Sequence, residues 1–383
     1  MNILQKILQD KIARISLIIL VFLYLLVVLC DFISPYNPNS RDPKASYLSA
    51  SRIHIFENGM PSLPYIYKIS YVFDQNTFTK KIIEDKTKKY YIRFFISGDE
   101  YKLFNLLPCN MHFFGIGPNV SFPGLTRESR FERYQTWIPA SVGMTVQPEI
   151  STPRLYLFGT DRNGRDIFSR ILHGGKPSLT IGFVGLLIVF PLGLLYGGIS
   201  GYFGGALDNF LMRIAEALMS LPYFYLIVVL ASILPANISN SQRFLLITII
   251  LSFVSWAGLS RVIRGQVLSI KEEEYVQSAK AIGVSDLKII MKHIIPQTTS
   301  YIIIAATLSI PGFIIGESAL SFLGMGITQP DPSWGNILAE GKELSNMLLR
   351  PWILLLPAAC IFISVLCFNL IGDKLRDILD PRG

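Results

Sequence analysis

The chain has 383 residues, of which 51% are hydrophobic and 16% charged, and its formal net charge is +8. This composition is too apolar for an ordinary soluble domain. The positive charge does not indicate binding to nucleic acid, because the basic residues lie beside apolar runs and are not interleaved with aromatic residues that stack on bases. The four cysteines are scattered, and we expect no disulfide framework.

In chain order, the apolar residues form six runs, each close to the ~20 residues that a helix needs to cross a bilayer. The runs are Ile15–Ile33, Leu179–Tyr202, Ile214–Leu234, Phe244–Val262, Tyr301–Leu323 and Trp352–Ile371. We therefore expect an all-α polytopic membrane protein with six transmembrane helices. The first run is long for a signal-peptide core and lacks a small-x-small site, which favours an uncleaved span.

The distribution of basic residues predicts the orientation of these spans, because cytoplasmic loops carry an excess of Lys and Arg. The residues that define the cytoplasmic side are Lys6, Lys11, Arg14, Arg213, Arg261, Arg264, Lys271, Lys280, Lys288, Lys292, Lys374, Arg376 and Arg382. The opposite short loops carry only Arg243, Lys342 and Arg350. Both termini and the loop at 265–297 are therefore expected in the cytoplasm.

The spans divide the chain into three parts. Residues 1–34 hold the tail and first helix, residues 35–177 form a long loop that we expect to be exported, and residues 178–383 form a five-helix core. Alternating apolar and polar residues over Tyr65–Phe95 predict a small β-rich lobe in the exported loop.

Residues 118–150 differ in composition from the rest of the exported loop and have no clear helical or strand period. They resemble the translation of short palindromic repeats that insert in frame into some bacterial genes. An ordinary irregular loop is the alternative.

The segment from Leu157 to Arg170 predicts a short helix ahead of the second span. Thr160 or Asp161 is a suitable N-cap, and Asp166 and Arg170 are spaced at i, i+4. The helix is expected to lie at the membrane surface or to act as a solvated linker.

The second span carries Gly193, Gly197, Gly201 and Gly205 at strict i+4 spacing. Such a stripe of small residues lets another helix approach closely in lipid, so we expect helix packing here rather than a ligand site. Chance clustering in a glycine-rich span is the alternative.

Two acidic residues fall within the predicted spans, Glu216 and Glu317. Intramembrane acids are costly and raise the possibility of proton coupling. We expect Glu216 to pair with Arg213 at i+3, and Glu317 to satisfy a helix end.

Motifs of soluble enzymes are absent from the sequence, and we assign no catalytic residue, no metal ligand and no cofactor to this chain. Residues Gly174–Ser178 lack the first glycine of a phosphate loop and place proline after the lysine. The four histidines have no metal-ligand spacing. If ATP drives transport, the ATPase must be another chain.

Between the fourth and fifth spans lies a charged, helix-forming segment. Glu272–Glu274 begin a helix to which Ala279, Ala281 and Ile282 give a packing face. Gly283 then predicts a stop, Ser285 a cap for the next helix, and Pro296 the return to the membrane. The segment is interpreted as a docking element for a soluble partner, with a loop that packs only on its own bundle as the alternative.

This segment resembles the EAA-x3-G-x9-I-x-L-P loop of binding-protein-dependent ABC importer permeases. Ala279, Gly283 and Pro296 match at the required spacing. The departures are Gln277, Ser278, His293 and Ile295.

Further segments are similar to the C-type permease subunit of oligopeptide, dipeptide and nickel importers. They are Phe158–Asp161, Gly164–Asp166, Leu211–Arg213, Leu221–Pro222, Leu320–Gly324, Pro332–Asn336, Phe368–Asp373 and Asp377–Arg382. The exported loop at 36–115 is longer than is usual in that family.

The resemblance implies a type I ABC importer permease in the bacterial inner membrane, paired with a second homologous permease. It also implies cytoplasmic ABC ATPases that carry ATP and Mg²⁺, and a substrate-binding protein on the exported side. The expected ATPase-docking residues are Glu274, Tyr275, Gln277, Ser278, Ala279, Ala281, Ile282, Gly283, Ser285 and Pro296. Dipeptides, oligopeptides, peptide-like antibiotics and nickel remain open as substrates. A proton-coupled secondary transporter and a membrane scaffold or receptor are the alternative functions.

Overall fold

The structure is a computed structural model that describes residues 3–57, 60–74, 79–103, 107–116 and 154–379. The chain divides into two compact units, one formed by Leu29–Ser169 and one by Met1–Val28 together with Arg170–Gly383. The proposed insertion at 118–150 lies outside the described residues.

The described helices and strands follow one another in this order. The helices are α1 (Ile3–Gln9), α2 (Lys11–Val28), α3 (Cys30–Ile33), α4 (Ile167–Phe203), α5 (Gly205–Met219), α6 (Tyr223–Ser232), α7 (Asn240–Ile270), α8 (Glu274–Ala281), α9 (Asp286–Ile289), α10 (Thr299–Phe322), α11 (Trp334–Gly341), α12 (Leu344–Leu349) and α13 (Trp352–Leu379). The strands are β1 (His54–Glu57), β2 (Met60–Asp74), β3 (Thr79–Leu103) and β4 (Leu107–Ile116).

The unit formed by Leu29–Ser169 contains an antiparallel sheet with the strand order β1-β2-β3-β4. Strand β3 is long enough to pair twice, with β2 up to Tyr91 and with β4 from Ile92 onward. The alternating pattern over Tyr65–Phe95 therefore falls on strands β2 and β3. The sheet extends well beyond that segment, from His54 to Ile116.

The motif ahead of α4 does not form the separate short helix that the sequence predicted. Asp166 is the residue at the helix start, where its Oδ2 accepts a hydrogen bond from Ser169 N at 2.8 Å. Of the residues predicted as caps, Thr160 accepts a hydrogen bond from Leu48 N, in the segment before β1, and Asp161 accepts one from Asn163 N, both at 2.8 Å. Arg170 donates to a backbone oxygen in the loop before α11 at 3.2 Å. The predicted surface helix is instead the first turn of α4.

The helical unit has five helices that are long and apolar enough to cross a membrane within the described part of the chain, and a sixth span if α5 and α6 are counted together. These two helices differ from the predicted third span, because they meet at 83°. The break coincides with Pro222, which has no N–H group to donate and whose ring blocks a preceding helical turn. Helix α5 also starts nine residues before the predicted run at Ile214.

Two hydrophobic clusters hold the helical unit together. One joins α4, α5, α6, α7 and α10 with the short helices α8 and α9. The other joins α1, α2, α11 and α13 to α4 and α10. Helices α4 and α10 contribute to both clusters, so they form the centre of the unit, and the loop between α7 and α10 packs on the first cluster.

Candidate functional site

The loop between α7 and α10 contains helix α8, a sharp turn and helix α9. The turn satisfies two carbonyls at the end of α8, because Val284 N donates to Ala279 O and Gly283 N donates to Lys280 O, both at 3.1 Å. This is the hydrogen-bond pattern of a Schellman motif. It requires a left-handed residue, and Gly283 supplies it with φ of +80°. The glycine therefore stops α8 as the sequence predicted.

Helix α8 packs through a narrow apolar stripe. Val276 and Ala279 are only 2% and 6% exposed and belong to the same cluster as Val267 of α7 and Ile289 of α9. Residues at i and i+3 lie on one helix face. The stripe therefore fixes α8 to the membrane helices while its other face remains exposed.

The structure corrects the predicted packing face of α8. Ala281 is exposed and Ile282 is 81% exposed, whereas both were expected to pack inward with Ala279. Ala281 lies two residues, about 200°, beyond Ala279 around the helix, so the two side chains point in opposite directions. Ala279 positions α8, and Ile282 lies on the surface.

The remaining predicted docking residues are exposed. They are Glu274, Tyr275, Gln277, Ser278, Gly283, Ser285 and Pro296. Ser285 occupies the N-cap position of α9, but its side chain makes no cap hydrogen bond, contrary to expectation. Pro296 lies in a 3₁₀ turn, Ile295–Thr298, that continues a π-helical turn and leads directly into α10.

Sequence reasoning missed two exposed apolar residues of this loop, Leu287 and Met291. They are spaced at i, i+4, and the buried Ile289 and Ile290 lie between them, a helical pattern that the sequence does contain. Tyr275 and Ile282 are exposed in the same loop, and we call these four exposed apolar residues together the α8–α9 surface. The surface is defined by Tyr275, Ile282, Leu287 and Met291 and is flanked by the acidic residues Glu272–Glu274 and by Lys280, Lys288 and Lys292. An apolar patch rimmed by charges is typical of a protein–protein contact.

The glycine stripe of α4 packs on α7, the helix that leads into α8. An added Cβ would lie 2.7 Å from Leu259 at Gly193, 2.4 Å from Ser260 O at Gly197 and 2.8 Å from Val267 at Gly201. Gly205 does not continue the stripe. It follows the end of α4 with φ of +59°, and a Cβ added there would have nothing within 4 Å. The stripe therefore has three members.

The two acidic residues of the predicted spans differ in environment. Glu216 lies 3.3 Å from Arg213, and this pair is 50% and 86% exposed. Glu317 is fully buried and accepts hydrogen bonds from Ser321 at 2.6 Å and Ser178 at 3.1 Å. It also contacts Ser333, the N-cap of α11. Glu317 therefore links α10 to α4 and to the start of α11, and the buried acid is accounted for without a proton pathway.

A cavity of about 300 Å³ lies among α4, α6, α7 and α10. Its polar lining comes from Tyr223, Ser255, Tyr301 and Ser309, and its apolar lining includes Phe313. Tyr223 is the first residue of α6, directly after the 83° break. The start of α6 therefore forms part of the wall of this cavity.

Comparison with known proteins gives the family. Residues 190–382 match the model of the binding-protein-dependent transport system inner membrane component, and residues 2–50 match the N-terminal transmembrane domain of oligopeptide transport permease C. The chain belongs to this family of inner membrane permeases. It is a multi-pass membrane permease subunit and not an enzyme.

Several curated permeases are similar to this one over more than half of its length. The oligopeptide transport system permease protein OppC of Haemophilus influenzae is 42% identical over 227 residues, 59% of this chain and 70% of the relative. The dipeptide permease DppC of Bacillus subtilis is 41% identical, over 59% of this chain and 68% of the relative. The glutathione permease GsiD of Escherichia coli O6:K15:H31 is 39% identical, over 59% of this chain and 72% of the relative.

Among solved structures, the permease resembles a chain of the inward-facing MetNI methionine ABC transporter. The TM-score is 0.42 with 16% sequence identity, over 55% of this chain and 96% of the other.

Proposed function

We propose that this permease is the translocation subunit of an ATP-driven importer that moves peptides into the cytoplasm by alternating access. The exposed α8–α9 surface, held on a helix whose inner face is fixed by Val276 and Ala279, is the observation that supports this function most directly. Relatives named as oligopeptide, dipeptide and glutathione permeases share substrates with peptide bonds, which supports peptides as the substrate class.

The proposal assigns ATP hydrolysis to separate cytoplasmic ABC ATPases, which carry ATP and Mg²⁺. They would dock on the α8–α9 surface, where apolar side chains provide the contact and the flanking charges orient it. A second homologous permease would complete the pathway in a type I importer arrangement. A substrate-binding protein would deliver peptide on the opposite side.

The orientation follows from the charge distribution. The loop that carries the α8–α9 surface contains Lys280, Lys288 and Lys292, and basic residues also flank the first and last long helices. Because basic loops remain on the cytoplasmic side, we assign both termini and this loop to the cytoplasm and residues 35–177 to the exported side.

Uptake by the reconstituted system tests the proposal. The permease is combined with its second permease, ATPase and binding protein in liposomes, and entry of a labelled peptide is followed with ATP, without ATP and with an imposed proton gradient. The proposal predicts uptake only when ATP is supplied. Uptake driven by the proton gradient in the absence of ATP would instead show a secondary transporter.

A further inference from the structure

Asp208, Arg264 and Ser200 form a polar contact among three helices, in which the Arg264 side chain is 32% exposed. Arg264 of α7 donates to both carboxylate oxygens of Asp208 of α5, from Nε at 2.6 Å and from Nη2 at 2.5 Å. The hydroxyl of Ser200 on α4 donates to the same carboxylate. Asp208 is 6% exposed and Ser200 fully buried. A bidentate arginine–carboxylate pair fixes both distance and orientation.

This contact lies near the end of α7, the helix that leads to α8. Arg264 precedes the last residue of α7 by six positions, about 9 Å at the rise of an α-helix. On the same stretch, Gly201 of α4 approaches the backbone oxygen of Arg264 and the side chain of Val267 without an intervening side chain. Val267 in turn shares a cluster with Val276 and Ala279 of α8. A displacement of α8 therefore reaches Arg264 through packed contacts.

Helices α5 and α6 connect Asp208 to the cavity. Helix α5 continues from Asp208 to Met219, about 16 Å along its axis, and ends at the 83° break before α6. Tyr223, the first residue of α6, forms part of the cavity wall. Because α5 is one continuous helix, a displacement of its first turn also displaces its other end, at the break before α6.

We propose that Asp208, Arg264 and Ser200 form an ionic joint that transmits displacement of α8 to α5 and so positions Tyr223 at the cavity. The inference rests on the proposed function, since it is the docked ATPase that would displace α8. Packing alone would not require a carboxylate at the buried position 208, because well-packed apolar residues often replace buried ionic groups without loss of stability. An ion pair keeps α5 and α7 in one orientation where apolar surfaces can slide. All three are positioning residues.

The test uses the full transporter in liposomes and measures ATP hydrolysis and peptide uptake in the same sample. Asp208→Asn is expected to retain ATP hydrolysis while peptide transported per ATP falls by about tenfold. The exchange Asp208→Arg with Arg264→Asp is expected to restore part of that ratio. The matched control replaces Arg213 and Glu216, the exposed ion pair of the same helix, with alanine and is expected to leave the ratio unchanged.

An assembled Asp208→Asn complex with the wild-type ratio would overturn the ionic joint. If that variant fails to assemble, Arg264→Lys and Ser200→Ala test the ionic joint in its place. Each variant keeps the charges and removes part of the hydrogen bonding. Both are expected to lower the ratio, and an unchanged ratio in both overturns the joint. Absence of ATP-dependent uptake in the wild type would contradict the proposed function, whereas wild-type uptake with unaffected variants contradicts the joint alone.

Discussion

At the residue scale, the glycine pattern in and after α4 agrees with the structure at three of its four positions. The i+4 spacing predicted a close helix contact, and Gly193, Gly197 and Gly201 do face α7 without room for a side chain. Gly205 has the same spacing, yet the chain leaves the helix at Phe203 and uses this glycine for a left-handed turn. Spacing alone does not report where a helix ends, so the sequence could not separate the fourth glycine from the other three.

Gly197→Val is expected to destabilise the permease by about 1–3 kcal/mol, because its Cβ would meet the backbone oxygen of Ser260 at 2.4 Å and force α4 away from α7. Thermal unfolding of the purified protein in detergent measures the effect. Gly258→Ala on α7 is the matched control, since nothing lies within 4 Å of its Cβ position and helical alanine is favoured over glycine. Equal unfolding temperatures for the two variants would contradict this packing.

At the element scale, the α8 turn was more predictable than the face that α8 presents. Gly283 marks the end of the helix through a local backbone requirement, which a sequence records directly. The direction of Ala281 and Ile282 depends on which stripe packs against α7 and α9, and in a helix of eight residues the composition does not decide it. The Asp208–Arg264 pair was missed for a related reason, since its members are 56 positions apart and only the tertiary fold brings them together.

Gly283→Val is expected to weaken ATPase association, because a β-branched residue at φ of +80° costs about 1–2 kcal/mol and unwinds the end of α8. Gly283→Asn is the control, since asparagine tolerates left-handed backbone and retains the Schellman hydrogen bonds. The measurement is the amount of ATPase that copurifies with the tagged permease from membranes. Equal amounts of copurified ATPase for Gly283→Val and Gly283→Asn would show that the turn is not required for docking.

At the scale of the whole molecule, hydrophobic runs predicted most of the helical unit, because a segment long enough to cross a bilayer has few alternatives to a helix. The runs did not reveal that α4 begins at Ile167 or that α5 and α6 bend by 83°, since both depend on local caps and on neighbouring helices. The α8–α9 surface lies on the loop that connects α7 to α10, and the buried side of that loop packs on the first hydrophobic cluster through Val276, Ala279 and Ile289.

The central claim is that a separate ATPase drives this permease through the α8–α9 surface, and site-specific photo-crosslinking tests it most directly. A photoreactive amino acid replaces Ile282, which is 81% exposed, in the full complex, and in a parallel sample it replaces Leu349 of α12, which is 67% exposed. The account predicts an adduct with the ATPase from position 282 and none from position 349. No ATPase adduct from position 282, or equal adducts from both positions, would contradict it.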